Sequence, residues 1–363
     1  MSRDVSEGKL TAEVIVVGGG LIGLASAVAL AERGISTTLI GDPQPGAASP
    51  AAAGMLAPSV ERASGSTHEF AIAARDRYPA FLDFLAERTG IRVPLNRLGI
   101  LQLAVSEKGV RGLRKSPPPG SMWLDAKELH SLEPALAHGL GAVLNPLDGA
   151  VDNRKLLEAL SALAASHAKI SSVWDWVISV SPGTNSCSVR TGSGATYSAR
   201  RVVVAAGAWA GQIEGAPFAR SVSPSRGQLV SYSSIPLRHV VYGPGGYVVP
   251  RTDATIGGST MEDVGFDWST TDAGIAKVRA AAEEICPVLA ASSNTTTWAG
   301  LRPVTPDLLP IIGPDPSHES VLYACGHSRN GVLMAPLTGD IIADLVTATP
   351  LSYELNQFRP DRF

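Results

Sequence analysis

Residues 13–40, EVIVVGGGLIGLASAVALAERGISTTLI, decide the fold of this chain. An apolar run ends at Val17, as in a parallel strand covered on both faces, and glycines follow at once. Residues 21–33 are rich in Ala and Leu at helical spacing, and Gly34 is a good helix stop. Residues 37–40 form the returning strand. The stretch therefore predicts a βαβ unit that binds a nucleotide.

The glycines of this stretch indicate what part of the nucleotide is bound. Gly18, Gly20 and Gly23 satisfy GxGxxG with Leu21 and Ile22 between them, where backbone N–H groups and a helix N-terminus receive a pyrophosphate. The alternative is a glycine-rich turn without a ligand, which the flanking strand and helix disfavour. The pattern alone does not separate FAD from NAD.

One expected feature is missing from the second strand. The acidic residue that would bond the adenosine ribose, roughly 20 residues after the glycines, falls at Gly41. Asp42 follows it and is our candidate for the ribose contact. The pyrophosphate argument is unaffected, because it depends on backbone groups and on glycine's small size.

Composition indicates an ordinary globular protein that acts on a small molecule. The 363 residues are 45% hydrophobic, with 30 basic and 33 acidic residues giving a net charge of -3. This mixture argues against nucleic acid or an acidic membrane as a partner.

Cys187, Cys286 and Cys325 form no CxxC pair, which argues against a disulfide framework or zinc and favours a cytoplasmic setting. Neither a signal peptide nor a membrane span fits the first forty residues.

Later segments predict two interleaved domains. Residues 201–207 and 321–326 resemble buried parallel strands ending in glycine, and 226–258 alternates β-rich runs with turns, as in an antiparallel sheet. Apolar residues between Phe70 and Leu85 recur at helical spacing around Pro79, which predicts two short helices or a kinked one. The predicted fold is α/β, a Rossmann-type FAD-binding domain interleaved with an α+β substrate domain that carries the antiparallel sheet. The predicted boundaries are 1–82, 147–222 and 303–363 for the FAD-binding domain, and 83–146 and 223–302 for the substrate domain.

Five segments carry a resemblance to a known family. They are SPAAAGMLAP (49–58), AAGAW (205–209), WAGLRP (298–303), GHSRNG (326–331) and APLTG (335–339). In this order they resemble the flavin and substrate segments of glycine oxidases, members of the D-amino-acid oxidase superfamily that serve thiamin biosynthesis in many bacteria. The resemblance implies FAD as the cofactor, bound noncovalently since residues 46–55 contain neither Cys nor His.

The resemblance also implies which further residues contact FAD. Small residues at 51–54 let the backbone approach a planar ring, and Met55 would line the pocket; the alternative is that 51–56 opens a core helix. Val173 would meet the adenine end through its backbone. The implied contacts are Ser49, Ala52, Ala53, Gly54, Met55, Val173, Gly207, Trp209, His327, Arg329, Asn330, Gly331 and Leu333.

Substrate contacts are implied in the same way. Arg302 and Tyr247 would hold the carboxylate of an α-amino acid, the arginine as a two-pronged donor. The alternatives are an ion pair of Arg302 with Asp307 and a core position for Tyr247. Met261 would line the pocket or lie in the core. Arg329 completes the set, with a less defined role.

Two departures and one helix complete the predicted site. Ser328 stands where relatives carry an aromatic residue, and Pro50 where some carry a hydroxyl residue. Pro336 and Leu337 are predicted to begin an apolar helix to Val346, whose N-terminus would stabilise negative charge on the reduced flavin.

The predicted reaction is the oxidation of glycine. The flavin accepts the α-hydrogen as hydride, the imine hydrolyses to glyoxylate and ammonia, and dioxygen is reduced to hydrogen peroxide. We predict no acid–base residue and no metal. Rival substrates are sarcosine, D-proline or another small D-amino acid, used by an oxidase or a dehydrogenase; rivals of another class are an NAD-dependent dehydrogenase and a non-catalytic flavoprotein. The sequence leaves a homo-oligomer open.

Overall fold

The structure is a computed structural model that describes residues 11–61, 65–184, 186–292 and 295–363. In these residues, strands β1 to β19 are, in chain order, Ala12–Val17, Thr37–Ile40, Met55–Leu56, Leu95–Asn96, Ile100–Ala104, Met122–Asp125, Gly141–Asn145, Gly149–Val151, Ile170–Val173, Val177–Pro182, Cys187–Thr191, Thr196–Val204, Ser223–Tyr232, Val240–Gly243, Gly246–Pro250, Thr255–Gly258, Thr295–Val304, Ile311–Pro314 and Val321–Cys325. Helices α1 to α10 are Leu21–Glu32, Ala48–Ala51, Pro58–Glu61, Gly65–Asp76, Tyr78–Thr89, Glu107–Lys115, Ala126–Leu132, Asn153–Ser166, Asp272–Ile285 and Gly331–Thr347.

The chain divides into two compact units. Unit 1 consists of the described residues of Met1–Gln44, Glu158–Ser223 and Arg302–Phe363, and unit 2 of those of Pro45–Leu157 and Pro224–Leu301. The domain boundaries given above stay a prediction.

Unit 1 is built on a mainly parallel sheet. Strands β9, β2, β1, β12 and β19 are parallel neighbours in that order, and β18 adds an antiparallel strand to β19. Strands β10 and β11 form an antiparallel extension along the first half of β12. Val14 to Val17 of β1 are all at most 2% exposed, as a parallel strand covered on both faces requires. The predicted βαβ unit and the predicted later strands are confirmed.

The apolar α1 packs closely on the apolar α10 within unit 1. Gly339 makes this possible, since a Cβ atom there would overlap the backbone of Ala25. At the end of α1, the Arg33 guanidinium lies 2.7 Å from Asp344 on α10. The two helices are therefore joined by packing along their length and by an ion pair at one end.

Unit 2 carries the predicted antiparallel sheet. Its strand order is β17, β13, β16, β15, β14, β5, β7 and β6, and β13, β16 and β15 pair antiparallel. A smaller sheet joins β3, β8 and β4. The pattern around Pro79 corresponds to two helices, α4 and α5, with Pro79 in the first turn of α5.

The prediction for the last helix was wrong at its start. Helix α10 begins at Gly331, and Pro336 lies inside it. Proline lacks the backbone N–H that a residue inside a helix donates, so it is favoured in the first turn, where that donor is not needed. The sequence prediction therefore placed Pro336 in the first turn. The apolar residues from Val332 to Ala335 are buried, and their packing outweighs that local cost.

Two further observations concern the chain as a whole. In the part of the chain that the structure describes, no helix has the length and hydropathy needed to cross a membrane. All three cysteines are free and buried. Burial raises the pKa of the Cys325 thiol to about 12, so it stays protonated.

Candidate functional site

The turn after β1 is shaped by close backbone approach. Gly18 has φ +117°, which disfavours any residue with a side chain, and a Cβ there would overlap the carbonyl of Ala205. A Cβ at Gly23 would overlap the carbonyl of Gly18. Gly20 is the N-cap of α1 in an extended conformation, and no side chain caps the helix there. Backbone groups alone therefore form this helix N-terminus, with Leu21 in the first turn, and this fits a pyrophosphate.

The ends of β2 and β9 explain the missing ribose acid. A Cβ at Gly41 would overlap the backbone nitrogen of Gly19, so an acidic side chain at 41 requires the turn to move. The Gly41 N–H donates to the carbonyl of Val173 at 3.0 Å, which ties the two strand ends together. Asp42 follows with an exposed side chain. The residues present thus fit the phosphates, and leave Asp42 as the acidic candidate for the ribose.

Two other turns of unit 1 carry predicted cofactor residues. Gly207 has φ +55° and begins a 3-10 turn, Gly207–Gln212, that contains the half-buried Trp209. In the second turn Ser328 has φ +49°, and its buried hydroxyl makes no hydrogen bond to the described residues. A buried hydroxyl without a protein partner is costly unless a ligand or an ordered water bonds it.

The loop at His327 leads directly into α10. His327 is 2% exposed, its Nε2 lies 3.2 Å from Thr338 Oγ1, and burial lowers its pKa to about 3. The imidazole is therefore neutral near pH 7. Arg329 is exposed, Asn330 is the N-cap of α10, and Gly331 and Leu333 belong to its first turn.

The Ser49–Gly54 segment of unit 2 is neither helix nor strand after Ala51. Helix α2 ends there, and Ala52 turns to an extended conformation with ψ 155°. Gly54 has φ +80°, and a Cβ there would overlap the carbonyl of Val151. Met55 then enters β3 opposite Ala150. The alternative of a core helix over 51–56 is excluded by this geometry.

Five carbonyl groups of the segment accept hydrogen bonds from elsewhere in unit 2. The donors are Asn153 Nδ2 to Ser49 (2.6 Å), Arg154 Nε to Pro50 (3.3 Å), Trp298 Nε1 to Ala51 (2.9 Å), Arg251 Nη2 to Ala53 (3.0 Å) and the Val151 N–H to Gly54 (2.8 Å). Sequence reasoning missed these donors; the only signal was the position of Trp298 in the WAGLRP segment. They fix the backbone of a segment whose own side chains are small.

The predicted substrate residues lie in different settings. Arg302 is half-buried on β17. Asp307 was the alternative ion-pair partner for Arg302, and both of its carboxylate oxygens accept hydrogen bonds from Arg362, at 2.8 and 3.1 Å. Tyr247 is buried on β15, and its ring covers Gly258 on the paired strand β16. Met261 is 51% exposed, which is not a core position.

Comparison with known proteins gives a consistent result. The profile of the DAO family, FAD dependent oxidoreductases, matches residues 13–345. The glycine oxidase of Geobacillus kaustophilus is 33% identical over 363 residues, covering 95% of this chain and 96% of that protein. A crystal structure of glycine oxidase from the same organism superposes with a TM-score of 0.88 at 32% identity, covering 97% of this chain and 99% of that one.

A second group of relatives is longer. The bifunctional protein ThiO/ThiG of Synechocystis sp. is 33% identical over 365 residues, which cover 97% of this chain. The chain spans about half the length of that relative, 54%. The phosphate turn, the parallel sheet of unit 1 and the family match over residues 13–345 agree with one another. The chain belongs to the DAO family of FAD-dependent oxidoreductases.

Proposed function

We propose that this enzyme catalyses the oxidative deamination of glycine, giving glyoxylate and ammonia, with reduction of dioxygen to hydrogen peroxide. The observation that carries glycine as the substrate is the likeness, over 95% of the chain, to a glycine oxidase. FAD, when bound, supplies a two-electron acceptor for the α-hydrogen and passes the electrons to dioxygen. The protein's own task is to hold the substrate and to shape the flavin environment.

Two residues are proposed to hold the substrate carboxylate. A carboxylate in a desolvated site needs a cation and a hydrogen-bond donor. Arg302 offers two parallel N–H groups from a half-buried position, and Tyr247 offers one hydroxyl from a buried strand. Met261 is proposed as a contact for the substrate because its exposed side chain is available. Orientation, rather than a protonating side chain, is the contribution of these groups to catalysis.

The cofactor is proposed to bind noncovalently. Covalent attachment requires a nucleophilic Cys or His near the ring, and residues 46–55 contain neither. Cys325 is 2% exposed and remains a protonated thiol near neutral pH, since burial raises its pKa. Release of FAD on acid precipitation would support this proposal, and flavin retained on the denatured chain would contradict it.

The cellular setting is also a proposal. Free buried cysteines fit a reducing compartment, and we propose the cytoplasm. The proposed partners are a small amine substrate and dioxygen.

Anaerobic titration tests the function directly. Glycine should bleach the visible flavin absorption, and admission of air should restore it with release of peroxide. A panel of sarcosine, D-alanine and D-proline separates the rival substrates, which differ from glycine by groups worth ~1–3 kcal/mol in an apolar pocket. A flavin that no member of the panel reduces would contradict amine oxidation and favour a non-catalytic flavoprotein.

Replacement of Arg302 tests the proposed orientation. Removing one member of a buried charged pair costs ~2–5 kcal/mol, so Arg302→Ala should lower kcat/KM for glycine by roughly 30-fold to several thousandfold. Arg302→Lys should recover part of the loss, because an ammonium keeps the charge without the two-pronged geometry. FAD content should stay unchanged. A primary amine without a carboxylate serves as the control, and near wild-type oxidation of glycine by Arg302→Ala would show that the carboxylate is held elsewhere.

A further inference from the structure

We propose that Asn153, Arg251 and Trp298, here called the carbonyl clamp, are positioning residues that set the flavin environment by fixing the backbone of the Ser49–Gly54 segment. This inference rests on the proposed function and on the expectation, implied by the family resemblance, that residues 51–54 approach the flavin ring. The clamp residues need not touch the ring, since they act through the carbonyl groups of Ser49, Ala51 and Ala53.

The composition of the segment explains why a clamp is needed. Residues 50–54 are Pro, Ala, Ala, Ala and Gly, which offer almost no side-chain area for packing. After Ala51 the backbone leaves the helix, so its carbonyl groups lose regular partners. Hydrogen bonds from outside the segment therefore determine where its backbone lies.

Arg251 is the most constrained member of the clamp. Its side chain is 9% exposed and lies 2.9 Å from Asp152. Its Nη2 donates both to the Ala53 carbonyl and to Asn153 Oδ1, while Asn153 Nδ2 donates to Ser49. A buried guanidinium fixed by a carboxylate on one side can hold a carbonyl on the other side in one place.

Trp298 fixes the middle of the segment. Its indole N–H donates to Ala51 at 2.9 Å, and the guanidinium of Arg154 lies 5.2 Å from its ring centroid. On the same strand, a Cβ at Gly300 would overlap the Cβ of Ala51. The β17 backbone thus approaches Ala51 closely, and glycine at position 300 permits this approach.

The first experiment removes one hydrogen-bond donor of the clamp and keeps an aromatic side chain at position 298. Trp298→Phe deletes the indole N–H, and Trp123→Phe is a matched control because Trp123 is also half-buried with an arginine, Arg114, 5.2 Å from its ring. For each variant we would measure the visible absorption and circular dichroism of bound FAD and the dissociation constant for FAD. The unfolding temperature, followed by far-ultraviolet circular dichroism, reports on stability. Trp298→Phe should shift the visible flavin bands and weaken FAD binding about tenfold, the scale of one lost hydrogen bond. Trp123→Phe should leave both unchanged.

A second pair of variants tests the charged member. Arg251→Lys keeps a positive charge beside Asp152 but cannot reach two acceptors with forked geometry, so it should also shift the flavin bands. Arg75→Lys is its control, since Arg75 is equally buried in unit 2, is paired with Asp148 at 3.1 Å, and donates to no carbonyl of the segment.

The outcomes separate this inference from the proposed function. Flavin spectra of Trp298→Phe and Arg251→Lys that match the wild type would overturn the clamp, and so would equal shifts in the two control variants. None of these readouts uses glycine. A flavoprotein that fails to oxidise glycine yet shows the shifts would contradict the proposed function and support the clamp.

Discussion

The Gly18–Gly23 turn of unit 1 and the Ser49–Gly54 segment of unit 2 both depend on glycine, but different forces hold them. In the turn, backbone atoms pack against backbone atoms: a Cβ at Gly18 would overlap Ala205, and one at Gly23 would overlap Gly18. In the segment, side chains from residues 153, 154, 251 and 298 hold the carbonyl groups. In the turn the contact is between backbone atoms, both within the turn and with Ala205. In the segment the contacts come from particular side chains about 100 to 250 residues away.

The largest effect is expected in the turn. Gly23→Ala places a Cβ into the Gly18 carbonyl, so the turn must open and purified protein should be mostly free of FAD. Gly19→Ala is the matched control, because its Cβ would lie 3.8 Å from Gly41 Cα, an ordinary contact. The ratio of flavin to protein absorbance measures both. Full flavin content in Gly23→Ala would mean that the turn is not shaped for the pyrophosphate.

A smaller effect of another kind is expected in the segment. Gly54→Ala forces an alanine to φ +80°, which costs ~1–2 kcal/mol, and places its Cβ into Val151. Gly90→Ala is the control, with φ +74° and open space around the added Cβ. Both variants should be destabilised on thermal unfolding.

Only Gly54→Ala should alter the visible spectrum of bound FAD, while the turn still retains the cofactor. Identical spectra for the two variants would remove the distinction between the two regions.

The smallest effect is expected at Asp42. Its side chain is exposed, so losing a ribose contact should weaken FAD binding by ~0.5–1.5 kcal/mol, the net scale of one hydrogen bond in water. Asp42→Ala should raise the dissociation constant ~2- to 10-fold, as measured by fluorescence titration. Restoring an acid by Gly41→Asp should not compensate, since that side chain displaces Gly19. An unchanged dissociation constant would leave the ribose without an acidic partner.

The contrast between these regions also explains what the sequence could predict. The βαβ unit was evident because strand, glycines and helix are contiguous, and because the steric demand for glycine leaves a recognisable pattern. The antiparallel pairing within residues 226–258 was likewise predicted from β-rich runs separated by turns, whereas the order β13, β16, β15 was not. The predicted start of α10 was wrong because the prediction relied on Pro336, which is visible in the sequence. The burial of Val332 to Ala335 depends on packing in the folded protein, which the sequence does not show.

The clamp could not be predicted for a different reason. Its acceptors are backbone carbonyls, which every residue carries, so nothing in residues 49–54 marks them as partners of particular side chains. Its donors lie about 100 to 250 residues away, with Asn153 104 residues from Ser49 and Trp298 247 residues from Ala51. Arg302 and Tyr247 were identified only through resemblance, and their roles stay a prediction.

The strand order of unit 1 affects how the protein folds during its synthesis on the ribosome. Strand β1 is made early, but its neighbour β12 brings residue 199 to residue 12, and β19 then brings residue 321 to residue 202. At ~5–20 residues per second, β1 waits on the order of ten seconds or more for β12, with the backbone groups of one edge unpaired. Folding dominated by such distant pairings is slow. The parallel sheet of unit 1 is therefore complete only after Cys325 has been synthesised, and until then an unpaired strand edge is open to pairing with other chains.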